Sequence, residues 1–248
     1  MLERDVGKGV HRLEHAYVNC YLIEDDDGRL TVVDAGLPAF WPLLGAALRE
    51  LGRRPRDIAA LVLTHAHFDH VGVARRLQER LGVPVWAHEK EKYLAAHPYR
   101  YAHENMRGIY PLRHPRAAMI LGAMARAGAL TVKGVSTTSS LEDGVRLDVP
   151  GRPQVVLSPG HTYGHCALHL PDRDVLLTGD ALVTLDPYTA RTGPRIIAGA
   201  ATADSATALE SLDLLAATGA GTVLPGHGEP WNEGIGAAVA AARAAGAS

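Results

Sequence analysis

The sequence has no excess of basic residues: 25 lysines and arginines stand against 27 acidic residues, for a formal net charge of −2. Binders of nucleic acid or anionic membrane carry their electrostatic footprint as a basic face or run, so neither partner is expected. Cysteine is almost absent, with only Cys20 and Cys166. Two thiols form at most one disulfide and make no zinc-finger spacing, which excludes a cystine-stapled scaffold. No stretch approaches the roughly twenty apolar residues of a spanning helix, and Met1 to Asp5 is not a basic segment leading into an apolar run. A soluble, cytoplasmic location is the expectation. Also missing are a serine elbow and a paired Cys and His, the devices of covalent hydrolases.

What is present suffices for one large core: 248 residues, 47% of them hydrophobic, are read as a single domain over residues 1–248. Strands are expected at Ala16 to Glu24 and Leu30 to Asp34, joined by the turn Asp25-Asp26-Asp27-Gly28. A helix is expected from Pro38 to Leu51, then a strand over Ile58 to Thr64. Val73, Leu77 and Leu81 recur every four residues before Gly82, as one buried helix face does. Further strands are expected at Val83 to Ala87, Val145 to Val149, Gln154 to Ser158, His165 to Leu170 and Val175 to Thr178. Helices are expected from Thr202 to Thr218 and, as a surface tail, from Glu233 to Ala245.

The densest chemistry is Thr64-His65-Ala66-His67-Phe68-Asp69-His70. Residues two apart on an extended chain face the same side, so His65 and His67 can present their rings to one metal ion. Asp69 and His70 follow once the chain turns towards the next helix, which suggests a second ion beside the first. Neutral imidazoles with carboxylates suit Zn2+ best, with Mn2+ or Fe2+ as competitors. The bland reading, a solvated His-rich loop, loses weight because similar residues recur at strand ends: Pro159-Gly160-His161, Thr178-Gly179-Asp180 and Pro225-Gly226-His227. Asp34, where an apolar strand stops, is either a turn-former or a carboxylate that orients a metal-bound histidine.

Residues 89–133 interrupt the alternation with a largely helical composition broken by Pro98, Pro111 and Pro115. Tyr93, Tyr99, Tyr101 and Tyr110 cluster there. Such rings suit the walls of a substrate pocket under a cap, with Tyr101 and Tyr110 as candidates, or the interface of a homodimer. The alternative is that they pack the insert onto the domain. After Asp180, the loop carrying Tyr188, Arg191 and Arg195 is the other candidate for substrate contact, because arginine binds carboxylate or phosphate bidentately.

With these residues in view, the chain resembles the metallo-β-lactamase superfamily of hydrolases from about Asn19 to His227. The pattern His-x-His-x-Asp-His, then Gly-His, Gly-Asp and Gly-His, is complete. The resemblance implies an α/β fold, a four-layer αββα sandwich with a helical insert and with the metals at one edge of its sheets. It assigns His65, His67 and His161 to one ion, Asp69, His70 and His227 to the other, and Asp180 to both, with Asp34 behind them. Two Zn2+ ions are expected, with a hydroxide bridging them that attacks a small carbonyl substrate: an ester, thioester or lactone. Asp69 and Asp180 are read as catalytic, and His165 as a further catalytic candidate. Alternatives are a metal-dependent phosphodiesterase acting on a small phosphodiester and a mononuclear iron sulfur dioxygenase. Departures narrow the subgroup. Too few residues follow His227 for the helical domain of glyoxalase II-like thioesterases, Val183 stands where homoserine lactonases carry tyrosine, and Asp180 stands where dizinc β-lactamases commonly have cysteine.

Overall fold

Two β-sheets face each other, and their strands alternate with helices that cover the outer faces. The computed structural model describes residues 1–248. In chain order the elements are β1 (Leu2–Gly7), β2 (Val10–His15), β3 (Val18–Glu24), β4 (Leu30–Val33), α1 (Phe40–Glu50), β5 (Ile58–Val62), α2 (Ala74–Leu81) and β6 (Val85–His88). They continue with α3 (Lys92–Ala96), α4 (Tyr110–Arg113), α5 (Pro115–Arg126), β7 (Ser139–Leu141), β8 (Gln154–Leu157), β9 (Cys166–Leu170) and β10 (Val175–Gly179). The chain closes with β11 (Val183–Leu185), β12 (Thr192–Arg195), α6 (Ser205–Ala216), β13 (Thr222–Pro225) and α7 (Gly234–Ala245). No helix is long and apolar enough to cross a membrane.

The first sheet has seven strands in the order β1-β2-β3-β4-β5-β6-β7, and the second has four in the order β13-β10-β9-β8. β1 to β4 are mutually antiparallel, whereas β4, β5, β6 and β7 run parallel. Side chains alternate across each strand, and the alternation sorts the core into layers. Tyr21, Ile23, Val33 and Val62 of the first sheet meet Val155, Leu168, Leu177 and Leu224 of the second in the central layer. Neighbouring residues point outward: Leu22, Val32 and Leu61 pack under α1 and α2. Ala167, Leu176 and Val223 pack under α6 and α7. These three apolar layers between four layers of secondary structure make the expected αββα sandwich. A fully buried Leu such as Leu168 contributes roughly 1.5–3 kcal/mol to holding two layers together.

Local sequence accounts for most of the elements. Phe40, Leu44, Ala47 and Leu48 form the buried face of α1 at helical spacing. α2 stops at Gly82 in the left-handed region (φ 68°). Asp204 caps α6 by accepting from the Thr207 amide at 2.9 Å.

Four expectations need correction. The strand at Val145 to Val149 does not form. Leu147 and Val149 bury their side chains, but the backbone makes only one isolated bridge, Arg146 to Gln154. Ser139–Leu141 instead completes the edge of the large sheet against β6. The sequence reading also missed the hairpins β1–β2 and β11–β12. Leu81 is exposed, so the α2 stripe ends at Leu77. The tail helix α7 is not merely superficial, since Ile235, Ala238, Val239 and Ala242 are buried in the outer layer it shares with α6.

The insert 89–133 contains a 3-10 turn at Glu89–Glu91 followed by α3, α4 and α5. Its Leu94, Tyr101, Tyr110, Ile120 and Met124 are buried in the same layer as α1 and α2, while Tyr93 and Tyr99 remain partly exposed.

One close approach fixes α6 relative to the second sheet. Gly160 has φ +131°, and a Cβ there would lie 2.2 Å from the amide nitrogen of Ala208 in α6. Its carbonyl accepts from the Asp204 amide at 2.9 Å, docking the start of α6 on the loop after β8. Gly160→Ala is expected to lower the unfolding free energy by about 2 kcal/mol or more, since strain and overpacking coincide. Urea denaturation of the metal-free protein checks this, and an unchanged midpoint would refute the docking argument.

Candidate metal centre

Five loops converge at one edge of the sandwich, each leaving the C-terminal end of a strand. Asp34 follows β4, residues 65–70 follow β5, His161 follows β8, Asp180 follows β10 and His227 follows β13. Three overlapping groups arise: His65, His67 and His161; His65, His70 and Asp180; and Asp69, His70 and His227. Within each group the ligand atoms lie within 4.8 Å of one another. All seven residues are buried. Oδ2 of Asp180 is the centre, 3.7 Å from Nε2 of His65, 3.5 Å from those of His70 and His161, and 3.3 Å from that of His227.

The histidines are aimed by what stands behind them. His70 Nδ1 donates to Asp34 Oδ2 at 2.9 Å, and His227 Nδ1 donates to the Tyr17 carbonyl at 2.6 Å. The Thr64 hydroxyl gives its own proton to Asp34 at 2.9 Å, so it accepts from His65 Nδ1 at 3.1 Å. In the same way Thr202 donates to the Ile197 carbonyl and accepts from His161 Nδ1 at 3.4 Å. With a proton held on Nδ1, the Nε2 atom of each of these four rings faces the centre. His161 Nε2 stands 3.0 Å from His67 Nδ1.

No protein group satisfies these inward atoms. Nε2 of His65, His70 and His227 and Oδ1 of Asp180 are buried and have no hydrogen-bond partner. An unpaired buried polar atom costs about 1–3 kcal/mol, and several in one place mark a site built for another occupant. The donor set of imidazoles and carboxylates fits divalent metal ions of the zinc type.

The charges agree. Burial pushes His65 and His67 well below the usual histidine range, and it takes His161 down to about 4 against the pull of Asp180. These rings are neutral and therefore able to ligate. Burial acts in the same direction on His70 and His227, but Asp180, with Asp34 for one and Asp69 for the other, outweighs it. His70 is raised well above its ordinary value and His227 to about 10. Burial opposes ionisation of Asp180, yet His227 and His70 hold it well below the carboxylate range. In the metal-free chain, protons on two rings stand in for cationic charge beside Asp180.

Asp34 adopts φ 59°, as a turn-former does, and it joins Thr64 to His70. His165 needs correction as a catalytic candidate. Its Nε2 accepts from the Asp180 amide at 3.0 Å and its Nδ1 lies 2.9 Å from the Ser158 hydroxyl. Both nitrogens are engaged, so the ring positions Asp180 and presents nothing to a substrate.

Anchors that the sequence reading missed lie in the N-terminal hairpin. Asn19 donates to the Pro225 and Gly228 carbonyls at 2.9 and 2.8 Å, and the Tyr21 hydroxyl donates to Pro225 at 2.7 Å. Together they fasten the loop of His227. Gly226 in that loop admits Asp180, because a Cβ there would lie 2.1 Å from Asp180 Oδ1. No sequence signal links residues 19 and 225; only their polarity within apolar strands hints at a role.

Beside the clustered histidines, Tyr101 packs on His67 with ring centroids 4.0 Å apart and the planes tilted by 40°, and its hydroxyl lies 3.3 Å from that of Tyr188. These rings, with Phe68, Met124 and Pro187, leave a cavity of about 10 Å³, the room of one water. Tyr110 and Arg191 do not reach it. They line an outer cavity of about 360 Å³ on the far side of Tyr188. Arg195 is folded onto the carbonyls of Gly193 and Thr192 in its own hairpin.

The chain is similar to known proteins. "Probable metallo-hydrolase YflN" of Bacillus subtilis is 29% identical over 241 residues, covering 91% of this chain and 86% of the relative. "Hydroxyacylglutathione hydrolase GloC" of Haemophilus influenzae is 28% identical over 166 residues, 66% of each chain. The solved structure of TTHA1623 in a di-iron-bound form has 29% identity and a TM-score of 0.61, and the match covers 91% of this chain and 93% of that one. The sequence profile of the metallo-beta-lactamase superfamily matches residues 14–227. The chain, with its αββα layers and its His/Asp centre at the sheet edge, belongs to the metallo-β-lactamase superfamily.

Proposed function

We propose that this protein is a dinuclear zinc-dependent hydrolase of a small carbonyl substrate: an ester, thioester or lactone. The observation that carries this reading is the set of inward Nε2 atoms and the unpartnered Asp180 oxygen, in three overlapping groups of which the one containing Asp180 takes a histidine from each of the other two. His65, His67 and His161 would hold one ion, and Asp69, His70 and His227 the other, with Asp180 between them. A bound pair of divalent ions supplies Lewis acidity and a water acidic enough to act as nucleophile near neutral pH. The protein's own contribution is placement. Thr64, Thr202, Asp34 and the Tyr17 carbonyl fix the ring orientations before any ion arrives. Asp69 lines the cavity and can take a proton from incoming water.

The cover sets the substrate class. Burial raises the Tyr101 hydroxyl above the ordinary tyrosine value and Tyr188 well above it, so both are neutral O–H donors, suited to a carbonyl or leaving-group oxygen. The walls otherwise consist of Phe68, Met124, Ile197 and Ala201, which suit an acyl chain rather than a polyanion. A cavity with the room of one water supports the reading of residues 89–133 as a cap, with Tyr101 and Met124 moving to admit substrate. GloC, named a hydroxyacylglutathione hydrolase, supports the carbonyl reading. The di-iron form of TTHA1623 makes iron the competing metal.

Purified protein loaded with zinc is expected to hydrolyse members of a panel of esters, thioesters and lactones, and Asp180→Ala should abolish that activity. Turnover confined to bis-nitrophenyl phosphate, or oxygen consumption on a persulfide with one bound iron, would replace the proposal with one of its alternatives. Metal removal should also register in stability. Free Zn2+ at a thousandfold excess over Kd stabilises a folded protein by about 4 kcal/mol per site, so chelation is expected to lower Tm by several degrees. A Tm indifferent to chelator and zinc would mean that the inward atoms do not bind the ion.

A further inference from the structure

Glu91 is a carboxylate for which the chemistry above has no use. It is 1% exposed, in the 3-10 turn Glu89–Glu91 that opens the insert. Its two oxygens serve different loops. Oε2 accepts from the backbone amide of Ala66 at 3.0 Å, and Oε1 accepts from the backbone amide of Gly164 at 3.0 Å. Ala66 lies between His65 and His67. Gly164 lies on the loop that carries His161. One buried carboxylate thus bonds both loops that supply the three-histidine cluster; the first also carries Asp69 and His70, but the loop of Gly164 and His161 serves the three-histidine cluster alone, and Glu91 makes no bond to the loop of His227.

A second feature shows that the fit is close. A Cβ on Gly164 would stand 2.9 Å from Glu91 Oε1, 3.0 Å from its Cγ and 2.8 Å from His88 Nδ1. Only a residue without a side chain lets this amide reach the carboxylate. Hydrogen bonds from amides to an ionised acceptor are about twice as strong as neutral ones, and the buried charge is tolerable only while both are made. Apart from this clip, the two loops are joined by the Cys166 amide bonding the Thr64 carbonyl at 2.9 Å and by the facing rings of His67 and His161. That ring contact is between the metal-facing atoms themselves and is given up when an ion takes them, whereas the Glu91 bonds are to backbone amides and persist.

We propose that Glu91 is a positioning residue for the first metal site: by clamping the Ala66 and Gly164 amides it holds His65, His67 and His161 converged in the absence of metal, and so sets the affinity of that site alone. The inference rests on the metal-binding reading. It also ties the foot of the insert to the metal loops, so the cap and the first ion share one anchor.

The test measures Zn2+ affinity by competition with a chromophoric chelator in two backgrounds. His227→Ala leaves the three-histidine cluster complete, and His161→Ala leaves Asp69, His70 and His227 complete. Glu91→Gln keeps the shape but turns an N–H towards one of the two amides. It is expected to weaken Zn2+ by about 10–100-fold in the His227→Ala background, the range commanded by groups behind metal ligands, and by less than twofold in the His161→Ala background. Equal weakening in both backgrounds would make Glu91 a general structural residue, and no weakening in the first would overturn the proposal outright. If Glu91→Gln does not fold, Gly164→Ala, which displaces the same carboxylate, is expected to give the same selective loss. If the unmutated protein binds a single ion, the dinuclear reading fails, while the effect of Glu91 on the three-histidine site is still read in the first background.

Discussion

The structure depends on a buried carboxylate crowded by imidazoles. Asp180 Oδ2 has four Nε2 atoms within 3.7 Å, and its other oxygen has no partner. Left alone, such a cluster is a liability, since each buried polar atom without a partner opposes folding. The rest of the molecule is what makes the cluster affordable. Three apolar layers stabilise the sandwich, and the polar atoms are gathered at one edge of it, where the strands end and the backbone is free to turn.

Precision comes from hydrogen bonds that reach across the fold. Asp34 sits behind His70 and Thr64, and Thr64 behind His65. Asn19 and Tyr21 hold the His227 loop from a strand some two hundred residues away in sequence. His165 holds the amide of Asp180, and Glu91 holds the two loops of the three-histidine cluster. His70, His161, Asp180 and His227 each have such a support from a different element, so the converged geometry is a property of the tertiary fold and not of any single loop.

This explains what was legible in the sequence. The His and Asp residues that converge at the centre could be read because His65 to His70 are compressed at one strand end, and because Gly-His and Gly-Asp recur where apolar strands stop. The glycines have a steric cause visible only in three dimensions: Gly226 makes room for Asp180, and Gly160 for α6. The supports were hidden because each is a single residue with a distant partner. The β1–β2 hairpin was missed because half of Leu2–Gly7 is a charged, exposed run, Glu3 to Asp5, so it lacks the apolar alternation that announces a strand. Conversely, Val145 to Val149 has the composition of a strand but uses Leu147 and Val149 only to fill the central layer. His165 shared the spacing and chemistry of the ligands, and only its two hydrogen bonds separate it from them. For substrate contact, Tyr101 and Tyr188 enclose the centre, whereas Tyr110, Arg191 and Arg195 stand outside it.

The central claim is that one shared carboxylate organises two adjacent metal sites. Anomalous X-ray scattering at the zinc edge, on crystals of the zinc-loaded protein, tests it most directly. Two peaks roughly 3.5–4 Å apart are predicted, one among His65, His67 and His161, the other among Asp69, His70 and His227, with Asp180 between them. A single peak at full zinc occupancy, or peaks that leave Asp180 outside both coordination shells, would contradict the account.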